Sequence, residues 1–337
     1  MTTDPGGVVS GLRGLRAVAG AGVACALGVA AWTQVERRMP ILRRYVAYVD
    51  VDPQTPPLRV LQVADPHLYV GQEFLVDFIR GLAREDFDLV LATGDNLGSA
   101  AGFGLLVEAF EPLLGRPGAF VFGSNDYYSP RRKRWSSYLF GSSKPKVKRT
   151  DKDLPWREMA QLFSDAGWVN LNNQSDVLEV WPAGSGAGSG AEGSRSGGAG
   201  SDRAVVPVRV GLMGVDDPHI KRDRVPEVPA NWGDSAMYRL GVTHAPYQRV
   251  LNEFVAAGAH AVFAGHTHGG QLCVPGFGAL VTNSDLPRRF ASGLHEWCFG
   301  GDSAVLHVSA GLGNSPFAPV RFACRPEASI VELRPRS

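Results

Sequence analysis

Five short blocks of the sequence place metal-binding side-chain types directly behind runs of β-forming residues. Asp65-Pro66-His67 follows residues 58–64, Gly94-Asp95-Asn96 follows 87–92, and Gly123-Ser124-Asn125-Asp126 follows 119–122. His244 follows 239–243, and Gly265-His266-Thr267-His268-Gly269-Gly270 follows 259–264. Carboxylate, imidazole and amide oxygen together suit divalent Mn, Fe, Zn or Mg. A pair spaced i, i+2, such as Asp65/His67 or His266/His268, turns toward one point when the loop bends there, and the flanking glycines permit the bend. Taken singly, each block has a plain explanation: a capping Asp, a Gly-Asp turn, an interior histidine. Their recurrence in order, each behind a strand-like run, points to one shared metal centre.

The runs that must position these groups are short, nearly continuous and rich in Val, Leu, Phe and Ala, which predicts strands buried on both faces. Further runs lie at 208–213, 304–308 and 328–333, and residues 44–51 read as an edge strand. Helical patterns at 73–84 and 104–114 alternate with the early strands, whereas the later strands crowd together. That order predicts an α/β fold with a second sheet, its reactive groups gathered at the carboxyl ends of strands. A further polar group, Asp216-Asp217-Pro218-His219, also follows a strand and is expected to support the site rather than to bind metal.

Net charge limits the partners. With 34 basic and 33 acidic residues the chain is close to neutral, so no nucleic-acid partner is expected. Four cysteines without a C-x-x-C pair exclude a disulfide scaffold and a cysteine-type structural zinc. Residues 17–35 carry no charge and could form an N-terminal hydrophobic helix of about bilayer length, ~30 Å. Anchor, signal segment and soluble Ala-rich helix all remain open for it. Membrane association is the expectation, with the main domain on the cytoplasmic side if Arg37, Arg38, Arg43 and Arg44 obey the positive-inside rule. The expected domains are residues 1–43, an anchor or signal segment with its linker, and 44–337, the catalytic domain. Two segments interrupt the latter. Residues 131–149 hold eight basic residues and no acidic one, a surface insertion or else a lid or membrane-facing patch. Residues 183–201 are mostly Gly and Ser and are expected to form an unstructured loop.

The five blocks resemble those of the calcineurin-like metallophosphoesterase superfamily, whose pattern is D-x-H, G-D, G-N-H-D/E, H and G-H-x-H. The G-H-T-H-G-G-Q block and the hydrophobic N-terminal segment are similar to its membrane-associated bacterial branch. The resemblance implies a four-layer α/β/β/α sandwich of two mixed sheets. It also implies two divalent metal ions, one held by Asp65, His67 and His268, the other by Asn125, His244 and His266, with Asp95 bridging. One block departs. Matching the glycines puts Ser124 at the amide-ligand position and Asn125 at the histidine position; counting along the strand puts Asn125 at the ligand position and Asp126 at the histidine. The second alignment keeps a good oxygen ligand and is preferred, making Asp126, with Asn125 and Asp95, the expected catalytic group. In either alignment the histidine that stabilises or protonates is missing, and an Asp serves only if its pKa is raised, which two nearby cations oppose.

The implied activity is metal-dependent hydrolysis of a phosphodiester or pyrophosphate bond, with two ions acidifying a water and clamping the phosphoryl oxygens. The basic, aromatic insertion suggests an amphiphilic phosphoester substrate at a membrane surface, as in UDP-diacylglucosamine hydrolases. The alternatives are a small soluble diester such as a cyclic nucleotide, or a metal-bound but catalytically impaired module that binds phospholipid or an envelope partner.

Overall fold

The computed structural model describes residues 5–130, 153–182 and 206–336. The expected insertion at 131–149 and loop at 183–201 lie outside the described residues.

Two six-stranded mixed sheets carry the fold. The first runs β1 (Ile41–Val49), β14 (Glu327–Pro335), β2 (Leu58–Val63), β3 (Leu89–Ala92), β4 (Gly118–Phe120) and β5 (Val169–Asn170). Its strands β2 to β5 are parallel, with β14 antiparallel to β2 and β1 parallel to β14 at the edge. The second runs β12 (Gly293–Phe299), β13 (Asp302–Val308), β9 (Ala261–Ala264), β8 (Met237–Val242), β7 (Val208–Gly214) and β6 (Gln174–Val180). Here β13, β9, β8 and β7 are parallel, flanked by antiparallel β12 and β6. A short antiparallel pair, β10 (Cys273–Val274) and β11 (Gly278–Ala279), stands apart from both.

The period-2 alternation of strand side chains sorts the core. On β3, Leu89 and Leu91 join a buried cluster with Val210, Leu212, Leu240, Val242 and Phe263 of the second sheet. Val90 and Ala92, pointing the other way, pack with α2 (Glu73–Gly81), α3 (Phe103–Phe110) and α5 (Trp156–Asp165) through Ile79, Phe110 and Phe163. Met213, Val262, Leu306 and Val308 of the second sheet likewise meet Val250, Leu251 and Phe254 of α6 (Gln248–Ala256). Full burial of such side chains contributes roughly 1.5–3 kcal/mol each. A polar thread at Gln62 crosses between the sheets. Gln62 of β2 donates to Thr93 Oγ1 (3.0 Å) and to the Ala264 carbonyl (2.9 Å), and accepts from His307 Nδ1 of β13 (2.6 Å).

A helix, α1 (Pro5–Glu36), covers the segment expected to be an N-terminal hydrophobic helix. Among the described residues, however, no helix is long and apolar enough to cross a membrane. The uncharged stretch is mostly Ala, Gly and Val, and Ala and Gly contribute little to insertion. The last turn of α1 is fixed to the body instead: Glu36 is buried and accepts from the Ala323 and Cys324 amides (3.0 and 2.6 Å) and from Trp32 Nε1 (2.7 Å).

Candidate metal centre

Parallel strands of both sheets end at one place, and each chemistry-bearing block begins where a strand stops. Asp65 and His67 follow β2, Asp95 follows β3, and the 123–126 block follows β4, most of it wound into the single turn α4 (Ser124–Tyr127). His244 follows β8, and His266 and His268 follow β9. The backbone there is forced into an uncommon shape. Asp65, His67, Asp95, His266 and His268 all have φ between +44° and +70°, the left-handed region that non-glycine residues avoid. Each such residue costs roughly 1–3 kcal/mol, which persists only where the surroundings over-determine it, as they do at ligand clamps. Two glycines make the close approach possible. A Cβ on Gly265 would overlap the Asp65 carboxylate, and one on Gly123 would overlap Asp95 and stand 2.6 Å from His244 Nε2.

The side chains converge as two buried triads, Asp65/His67/His268 and Asp95/His244/His266, each with its ligand atoms within 4.8 Å of one another. In the first, His67 Nε2 and His268 Nε2 face each other at 3.1 Å, and Asp65 Oδ1 lies 3.8 Å from His268 Nε2. In the second, His266 Nδ1 and His244 Nε2 are 3.2 Å apart. Asp95 joins them: Oδ2 lies 3.5 Å from His67 Nε2 and Oδ1 lies 3.5 Å from His244 Nε2.

Tautomers follow from the other ring nitrogens. His244 Nδ1 donates to the Thr93 carbonyl (2.8 Å) and His266 Nε2 donates to the Asn283 carbonyl (3.2 Å). Each bond leaves the lone pair of the second nitrogen aimed into the triad, the arrangement metal-binding imidazoles require. Burial holds His67 down to about 4 and pushes His266 and His268 well below the usual histidine range. Those three rings are therefore neutral ligands at pH 7. Burial also opposes charge on His244, but Asp95, Asp217 and Asp65 together drive it up. Acidic oxygens and neutral nitrogens enclosed in this way fit a pair of divalent cations.

The 123–126 block is placed differently from the preferred alignment. Asp126 is fully buried and its carboxylate is consumed by backbone donors: the amides of Asp95 (2.8 Å), Gly123 (2.8 Å) and Asn96 (2.7 Å). Its oxygens are thereby taken up in tying the ends of β3 and β4 together. Burial, with Asp95 close by, pushes it up to about 7. Asn125 stands on the triad side, its backbone amide on Asp95 Oδ1 and its Nδ2 on Asp95 Oδ2, both at 2.7 Å. It therefore orients the Asp95 carboxylate, and the glycine-matched alignment, with Ser124 in the amide-ligand position, is the one this geometry supports.

Arg321 escaped the sequence reading. Its guanidinium is fully buried and donates to the carbonyls of Ala310 (2.8 Å), Gly311 (3.0 Å), Gly313 (2.7 Å) and His268 (3.3 Å). Gly313 in turn donates to the Asp65 carbonyl at 2.7 Å, so Arg321 clamps the His268 turn to the loop that wraps Asp65. No spacing in the sequence signals this.

A family profile described as calcineurin-like phosphoesterase matches residues 58–270, which contain all five blocks. The uncharacterized metallophosphoesterase YkuE of Bacillus subtilis (strain 168) is 31% identical over 71 residues, 21% of this chain and 23% of that protein. The match thus spans less than a quarter of that relative's length. Among solved structures, TT1561 of Thermus thermophilus aligns over 76% of this chain and 91% of its own, at 13% identity and TM-score 0.35. The phosphopantetheinyl hydrolase PptH of Mycobacterium tuberculosis aligns over 80% of this chain and 96% of its own, at 8% identity and TM-score 0.37.

Proposed function

The chain belongs to the calcineurin-like phosphoesterase family, and from that premise we propose that it hydrolyses a phosphodiester or pyrophosphate bond at a dinuclear centre. The observation that carries the reading is the division of Asp95, one carboxylate oxygen facing each triad. When bound, two divalent ions acidify a water and offset charge that develops on the phosphoryl oxygens. The chain's own residues supply the geometry. Asp65, His67 and His268 define one position, Asp95, His244 and His266 the other, and Asn125 fixes the carboxylate between them.

Asn125 also bears on the substrate. An amide can hydrogen-bond to a phosphoryl oxygen but cannot protonate a departing alkoxide. Leaving groups that depart as stable anions suit this site, which favours a pyrophosphate, such as a nucleotide-linked lipid, over a cyclic nucleotide. Incubation with Mn and either a UDP-linked diacyl lipid, bis-p-nitrophenyl phosphate or cyclic AMP tests this. The proposal expects hydrolysis of the first two and little of the third; cyclic AMP cleaved as fast as the others contradicts it.

The proposal extends to a four-layer α/β/β/α order and to attachment at a membrane surface. Three buried clusters, one between the sheets and one on the outer side of each, support the layering. Val23, Leu27 and Trp32, exposed on α1 ahead of the turn held by Glu36, support the attachment. Co-sedimentation with anionic vesicles that is lost on deleting residues 1–31 is the expected result; unchanged sedimentation contradicts it.

A further inference from the structure

The turn behind β7, Asp216-Asp217-Pro218-His219, belongs to neither triad, yet the topology brings it to the second one. Strands β7 and β8 are parallel with Gly214 opposite Val242, and the Val215 amide donates to the Val242 carbonyl at 3.2 Å. Two residues beyond that last pair stand Asp216 after β7 and His244 after β8, with Asp217 next in the chain. At the far end of the turn, the His219 ring lies against His266, centroids 4.6 Å apart. The turn thus spans both imidazoles of the second triad.

Its two carboxylates are treated differently. Asp216 is engaged by the Tyr127 hydroxyl (3.0 Å to each oxygen) and by Arg222 Nε (2.6 Å). Asp217 is fully buried and its Oδ1 accepts the His219 amide at 2.7 Å, which fixes the side chain. Its Oδ2 has no hydrogen-bond partner among the described residues. A buried carboxylate oxygen left without a donor is costly and calls for a cation or a ligand.

The second metal position also lacks an oxygen. The first position draws on Asp65, His67, His268 and one oxygen of Asp95; the second has only His244, His266 and the other oxygen of Asp95. Ser124 stands in the amide-ligand position, while the Asn125 side-chain nitrogen is bonded to Asp95 and the Asp126 carboxylate to backbone amides. We propose that Asp217 completes the second metal position, its free oxygen supplying a ligand where the family pattern has an amide oxygen and this chain has Ser124. This rests on the dinuclear reading above.

The test measures metal rather than turnover. Wild type and Asp217→Asn are loaded with Mn, dialysed against low Mn and analysed for metal per chain, and both are melted with EDTA and with excess Mn. The proposal expects about two ions in wild type and about one in the variant, with the second ion weakened about tenfold or more. In EDTA the variant should still melt cooperatively, while its gain in melting temperature on adding Mn should be smaller than that of wild type. Asp217→Ser should show the same pattern if the Asn variant does not fold. Two ions bound in a folded variant with wild-type affinity overturn the proposal, as does a variant that gains as much from Mn as wild type. A wild type that binds no Mn overturns the dinuclear reading itself.

Discussion

The Nε2 atoms of His67 and His268 lie 3.1 Å apart in a buried site, rings stacked at 21° with centroids 5.0 Å apart. Both rings are held neutral by burial, so at this distance either one Nε2 donates to the other or both lone pairs face a shared electrophile. His67 is in the first sheet's β2 loop and His268 in the second sheet's β9 loop. A cation there would bind the two halves of the fold together.

Asp95 is the residue whose loss should be most damaging, because it serves both triads. Asp95→Asn should lower bound metal from two ions to one or none and cut hydrolysis about a thousandfold or more. Elemental analysis and initial rates on one preparation check this. Normal metal content with normal rate would sink the assignment.

Asn125→His should restore a side chain able to carry a proton. Turnover of a substrate with a poor alkoxide leaving group, such as cyclic AMP, should rise about tenfold or more, while bis-p-nitrophenyl phosphate changes little. If both rates change by the same factor, Asn125 does not govern the leaving group.

Arg321→Met should unfold easily. It removes donors from four buried carbonyls, a loss of about 3–5 kcal/mol measured as a lower urea midpoint. Arg321→Lys should recover only part, because one ammonium cannot reproduce the planar fork. A lysine variant as stable as wild type would contradict the clamp.

Acid should destabilise the fold through His307. It is fully buried on β13, Nδ1 donating to Gln62 and Nε2 without a partner among the described residues, and burial holds it down to about 3 against an ordinary 6.5. The unfolded chain takes a proton below pH 6.5 that the folded chain refuses, so stability is full above pH 6.5 and falls as pH drops toward 3. The slope from one such group approaches ~1.4 kcal/mol per pH unit. His307→Gln should flatten the decline in urea midpoint between pH 6.5 and 5 in EDTA; an unchanged slope would rule His307 out as a contributor.

Strands and metal-binding residues are legible because both depend on local pattern. The runs at 58–64, 87–92 and 239–243 correspond to β2, β3 and β8 within two residues at each end, and their buried alternation is written in Val, Leu and Ala. The 73–84 pattern corresponds to α2, which ends three residues early as the chain passes into a tighter turn at Leu82–Arg84. Asp126 and Asp217 resist a sequence reading for one reason. Whether a carboxylate is consumed depends on donors elsewhere in the chain: the amides of Asp95, Gly123 and Asn96 take up Asp126, and nothing described takes up Asp217 Oδ2. Arg321 is less legible still, since its acceptors are backbone carbonyls, which every sequence has.

The most direct test of the account is metal content and hydrolysis on one sample of the chain, purified without chelator and loaded with Mn. The account predicts about two ions per chain and Mn-dependent release of p-nitrophenol from bis-p-nitrophenyl phosphate, both abolished by EDTA. A folded protein that binds no Mn and whose hydrolysis is indifferent to EDTA would contradict it.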